Sequence, residues 1–284
     1  MSLAPSASTL TKYKPGSLKE VWALTWPLML SYFSLSLMLF TDRSFLAKMD
    51  ANALHAGLKT SFVYFLIAMI PMAIAGVSEV IVGKLNGAGL HMKIGGVFWA
   101  CLSLAAAVLP LALFAGLYVT DFLFDPSGLE AQYFRPLILF LPFQILTVAL
   151  SGWYIGMGYV RVITYSTAAG ACVNIFLDWA LIFGNCGFPQ MGITGAAIGT
   201  GLSLAFQSLC LLFLALGSAK YYAPYCTRLI KGSFKDIKAY LKEFCTIGFA
   251  PGLGQWFEIL GQNCFFFLIT HVTQQVEIRG YSIL

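Results

Sequence analysis

The sequence predicts an all-α polytopic membrane protein, built as a six-helix N-terminal lobe followed by the first helix of a second lobe. Three observations carry this reading. Hydrophobic residues fill 59% of the 284 positions and charged residues only 10%, against about 45–50% and about 25% in soluble domains. So few charges cannot cover the surface of a water-soluble chain of this length. The apolar residues also gather into runs of membrane-spanning length, and a long basic segment separates the first six runs from a seventh.

A span needs about 20 mostly apolar residues, and within lipid a helix satisfies its own backbone polar groups. Seven runs qualify: 22–47, 60–83, 95–120, 131–156, 162–184, 193–217 and 243–270. None shows the alternation of a barrel strand. Residues 1–21 read as a polar arm and 22–217 as the six-helix lobe. Residues 218–242 read as a basic connector, and 243–284 as the incomplete start of a second lobe. No apolar core of signal-peptide length precedes the first run, so the first helix is expected to serve as an uncleaved signal. Pro27, Pro71, Pro110, Pro142 and Pro251 each fall inside a run, where a proline suits a helix that bends. Gly152 and Gly156, and again Gly195 and Gly199, have the small-residue spacing that lets helix backbones approach closely.

Orientation follows from lysine and arginine. Lys12, Lys14 and Lys19 precede the first span, Lys84 and Lys93 follow the second, and Arg161 follows the fourth. Lys220, Arg228, Lys231, Lys235, Lys238 and Lys242 follow the sixth, which puts 12 of the 17 basic residues on one side. The opposite loops hold Lys48, then Asp121, Asp125 and Glu130, then no basic residue in 185–192. The N-terminus is therefore expected in the cytoplasm, with the chain in the cell membrane. With the basic residues so placed, the net charge of +5 gives no signal for nucleic acid.

Six helices, a basic cytoplasmic connector and a restart are how a two-lobed transporter with repeated halves begins. Twelve helices would need roughly 400 residues or more at about 20 per span plus loops, so the chain reads as one lobe plus the opening of another. The seven cysteines form no CxxC pair and read as small buried hydrophobes. His55, His91 and His271 fall in or beside loops and read as solvated. No nucleophile elbow, phosphate-binding loop or paired His/Cys/Asp loop suggests an enzyme.

Ionisable residues inside spans cost about 2.5–3.5 kcal/mol at a helix centre on insertion scales. Asp42, Glu79, Asp178 and Glu258 are such residues. Arg43 and Arg135 lie nearer helix ends, where a long side chain reaches the interface, and Glu79 is placed to pair with Lys84. The excess buried charge is negative, which favours a cation: a coupling ion or a cationic solute. Asn174 and Asp178, four residues apart, share one helix face. There they offer hard oxygen ligands to a small cation or a carboxylate able to carry H⁺; alternatively they hydrogen-bond neighbouring helices as packing contacts. Aromatic residues (15%) include some suited to hold a flat organic cation over their rings, though the sequence does not single them out.

The stretch NIFLDWALIFG, a short turn and MGITGAAIGT closely resembles the helix 5 to helix 6 signature of the multidrug and toxic compound extrusion transporters. WPLMLSYFSLSLMLFTD, KLNGAG and GFAPGLGQWFE are similar to that family's first helix, its turn after helix 2 and the opening of its second lobe. The resemblance implies a twelve-helix antiporter exchanging Na⁺ or H⁺ for an organic cation. It places Asp42, Asn174, Asp178 and Thr200 on the first-lobe cation site and Glu258 on the helix 7 acid of the second lobe. Beyond Na⁺ or H⁺ as coupling ion it implies no cofactor. The expected partners are a small organic cation, the lipid bilayer and a second half encoded separately. Where the family has small or apolar residues and a Gly, this chain has Asp42-Arg43-Ser44 and Ala47-Lys48; WYIGMGYVR lacks the usual Arg-Ala-x-Gly-Asp run. The alternatives are a truncated, non-transporting membrane protein, or a lipid-linked oligosaccharide flippase of the same superfamily. A flippase cavity calls for Arg and Lys; these spans carry acids.

Overall fold

The computed structural model describes residues 17–217 and 234–281, together with Tyr13. Lys12, Lys14, Lys220, Arg228, Lys231, Cys226 and most of the connector lie outside the described residues, as does the His271 side chain. Among the described residues eight α-helices follow one another: α1 (Leu18–Met49), α2 (Ala51–Gly87), α3 (His91–Leu123), α4 (Leu129–Leu139), α5 (Leu141–Gly156), α6 (Val160–Phe183), α7 (Ile193–Gly217) and α8 (Phe234–Tyr281). There is no strand among the described residues.

Local chemistry sets the ends. Ser17 caps α1 by accepting from the Glu20 amide at 3.3 Å, the N-cap arrangement that satisfies an orphan donor. Gly89 (φ 73°) and Gly158 (φ 84°) close α2 and α5 in left-handed conformation. After each, the next amide reaches back over the turn, Leu90 to Leu85 and Tyr159 to Tyr154, both at 2.9 Å, as in a Schellman cap. Helix α2 starts at Ala51, nine residues before the predicted span. Hydropathy marks lipid depth, whereas the helix continues through the amphipathic residues outside it.

Two expectations need correction. The run 131–156 is not one helix but α4 and α5, bent by 46° at their junction. Pro142, in the first turn of α5, has no N–H for the carbonyl four residues back. The predicted seventh span, 243–270, lies within α8, which is helical throughout but more polar than the other spans. Five helices pass on length and composition, six when α4 and α5 form one bent span. Gln255, Glu258, Gln262 and Asn263 account for the polarity of α8. The cysteines also depart from the expectation: Cys101 is buried, but Cys172, Cys186, Cys245 and Cys264 are exposed.

Glycine contacts draw the helices together. A Cβ at Gly156 would come within 2.8 Å of the Glu79 carbonyl oxygen, and one at Gly195 within 2.7 Å of the Leu181 carbonyl oxygen. Both glycine pairs therefore serve close backbone approach, α5 on α2 and α7 on α6. Ser78 adds a hydrogen bond to the Ala149 carbonyl at 2.8 Å. Trp153, Tyr154, Phe98 and Phe134 are fully buried at the centre. The indole of Trp153 donates to Ile94 O at 3.2 Å, and Tyr154 donates to Leu211 O at 3.0 Å. Helix α8 rests on α2, where Trp256 Nε1 donates to Leu66 O at 3.0 Å.

Candidate cation site

Helix α1 is fastened to α6 at both ends. Toward one end the Pro27 carbonyl accepts from Thr164 at 2.8 Å. Toward the other, Phe45 and Phe183 meet edge to face with centroids 5.7 Å apart. This placement brings Asp42 of α1 to the side of α6 that carries Asn174 and Asp178. Helix α7 closes the group from a third direction: Asn174 Nδ2 donates to Thr200 Oγ1 at 3.4 Å. The structure thus gathers four of the residues named from the resemblance, on three helices.

Burial makes the group chemically demanding. Asn174 and Asp178 are 0% exposed and Asp42 is 4% exposed. Both carboxylate oxygens of Asp178, Oδ1 of Asn174 and Oδ1 of Asp42 are buried with no hydrogen-bond partner. The Asn174 amide stands beside the Asp178 carboxylate without reaching hydrogen-bond geometry, and Asp42 lies within electrostatic reach of Asp178. A buried carboxylate without a partner is strongly disfavoured unless a proton or cation compensates it. Two carboxylates, an amide oxygen and a hydroxyl form a hard-oxygen set suited to a small cation. Among the described residues no three His, Cys, Asp or Glu side chains gather as a metal cluster.

Beside this group lies a cavity of about 430 Å³, lined by Asp42, Arg43, Glu79, Gln144, Thr200 and Gln207 among others. Its aromatic wall comprises Tyr32, Tyr64, Phe65 and Tyr133, the rings that sequence could not single out. A wider groove of about 930 Å³ between the first turns of α1 and α6 holds none of the acids.

Three sequence expectations change here. Two acids buried in one lobe are expected to face a shared cavity, but only Asp42 lines it; Asp178 is sealed in the α6–α7 seam, where Gly199 packs on its carboxylate. Arg43 does not reach for the interface, because α1 runs on to Met49; its Nη2 instead donates to Ser61 Oγ at 2.7 Å. Arg135 does stay exposed, paired with Asp121. Glu79 makes no ion pair with Lys84 and lines the cavity instead. Glu258, assigned by the resemblance to the second lobe and not to this site, lies on an exposed face of α8, accepting from Gln262 Nε2 at 3.3 Å. Ser61 and Tyr133 were missed, their only signal being a polar residue inside an apolar run, and Gly199 was read for packing without its contact to Asp178.

A family model described as MatE matches residues 27–180, which include Asp42, Asn174 and Asp178. The chain belongs to the MatE family. The probable multidrug resistance protein NorM of Pseudomonas syringae pv. tomato is 27% identical over 254 residues, covering 84% of this MatE chain and 53% of that protein. A MATE crystal structure in complex with MaD3S matches with a TM-score of 0.72 at 21% identity, over 93% of this chain and 58% of that one. A MOP superfamily transporter from Pyrococcus furiosus matches with a TM-score of 0.68 at 19% identity, over 94% and 57% of the respective chains. These structures share the MatE chain's fold. The chain spans about half the length of the curated relatives it matches.

Proposed function

We propose that this protein exports small organic cations in exchange for Na⁺ or H⁺, with Asp42, Asn174, Asp178 and Thr200 as the coupling site. The observation that carries the proposal is the set of four buried, unpartnered oxygens on Asp42, Asn174 and Asp178. Packing contacts alone would leave those oxygens bonded, since an unsatisfied buried polar group is costly. The cavity supports the substrate class: acids at Asp42 and Glu79 attract a cation, and aromatic faces favour it further. Solute and coupling ion would then compete for the same negative charge, which is the basis of exchange. Alternating access would come from rocking against a second lobe, supplied in the same or a separate polypeptide. The N-terminus and connector are placed in the cytoplasm by the distribution of basic residues.

Other readings have less support. The cavity has Arg43 as a basic lining residue beside two acids, a poor fit to a pyrophosphate-linked lipid. The test is efflux of a fluorescent organic cation from vesicles holding the protein under an imposed Na⁺ or H⁺ gradient. Efflux should follow one of the gradients and stop when an ionophore collapses it. Efflux indifferent to both gradients would overturn the exchange reading.

A further inference from the structure

We infer that Arg43 is a resident counter-cation, holding the net charge of the buried site at one negative so that a single monovalent cation balances it. This rests on the coupling-site reading above and goes beyond it, by naming the residue that sets charge stoichiometry and excludes divalent ions.

The guanidinium is built in. Its Nη2 is anchored on Ser61 Oγ at 2.7 Å, and it occupies a notch left by Gly57, where a Cβ would come within 3.2 Å of Nη1. Nη1 is buried with no acceptor. The ion pairs among the described residues are Lys59 with Glu130 and Arg135 with Asp121, so Arg43 is not tied to either aspartate. It nevertheless acts on Asp42, which lies within its electrostatic reach, and Tyr133, 2% exposed, senses Arg43, Asp42 and Asp178 together. The charged groups facing this region are Asp42 and Arg43 from α1 and Asp178 from α6. Helices α2 and α4 contribute Ser61 and Tyr133; Glu79 lines the same cavity but is exposed, so it stands outside the buried charge count.

The charge count follows from the chemistry. A guanidinium is always protonated in proteins, so Arg43 contributes one fixed positive charge. Against two ionised aspartates the site lacks one more. In a low-dielectric interior an uncompensated charge is costly in either direction. One Na⁺ closes the balance, whereas a divalent ion would overshoot it.

The test counts ions bound by the purified full chain in detergent, with radioactive sodium at equilibrium and Ca²⁺ as competitor. The wild type should bind one Na⁺ that Ca²⁺ does not displace, and Arg43→Lys should match it. Arg43→Gln should bind two Na⁺ or one Ca²⁺. Asp42→Asn, whose remaining charges already balance, should bind none, and it keeps the inference testable if Arg43→Gln fails to fold. Wild-type counts in Arg43→Gln, or one Na⁺ retained by Asp42→Asn, would overturn the role of Arg43 while leaving the coupling site standing. A wild type that binds no Na⁺ would overturn the sodium site itself, and this inference with it.

Discussion

Gly199 of α7 lies so close to Asp178 of α6 that a methyl group at position 199 would overlap the carboxylate oxygen Oδ1. Position 199 therefore controls both the packing of two helices and the setting of the buried acid. Gly195, one turn earlier, meets first the backbone and side chain of Leu181.

This contrast gives the first prediction. Gly195→Ala and Gly199→Ala should each destabilise the protein by about 1–3 kcal/mol through overpacking, read as a lower unfolding midpoint in detergent. Gly199→Ala alone should also weaken ion binding, because it displaces Asp178. Equal ion binding by the two variants would mean that the Gly199 contact matters for packing only.

Most of the helical frame was legible, because charges and glycines interrupt the apolar runs at the loops. The Asp178 site was legible for the same reason: a carboxylate and an amide inside an oily segment stand out. The bend between α4 and α5 was not, since Pro27 and Pro71 sit inside unbroken helices. At Pro142 packing adds to the missing N–H: Phe140 at the bend lies against Gly201, where any Cβ would overlap its ring. Arg43 was misplaced because the apolar window ends before the helix does, leaving the residue six positions inside α1. That Asp178 is sealed away from the cavity depends on how α6 and α7 pack, which no local pattern encodes.

Ser61→Ala should release Arg43 from its anchor. Hydrogen bonds to charged groups contribute about 1.5–3 kcal/mol, while those between membrane helices average nearer 0.6 kcal/mol. A loss of about 1 kcal/mol in unfolding free energy is expected, with Ser61→Thr retaining most of it. No change in Ser61→Ala would show that the contact adds nothing to stability.

Orientation can be checked directly. A tag at the N-terminus and another within 218–239 should both be shielded from an impermeant reagent in intact cells, because 12 of the 17 basic residues fall on that side. Labelling of either tag from outside would reverse the assignment.

The central claim is that Asp178 binds the coupling cation, and gradient-driven efflux in Asp178→Asn tests it most directly. Asn is nearly isosteric and removes the charge, so the protein should insert and fold at wild-type levels. Efflux of a fluorescent organic cation should nevertheless fall to background under both Na⁺ and H⁺ gradients. Asn174→Ala, which removes one neutral ligand, should keep part of the rate. If Asp178→Asn instead exports at close to the wild-type rate under both gradients, Asp178 is a packing residue and the coupling site lies elsewhere.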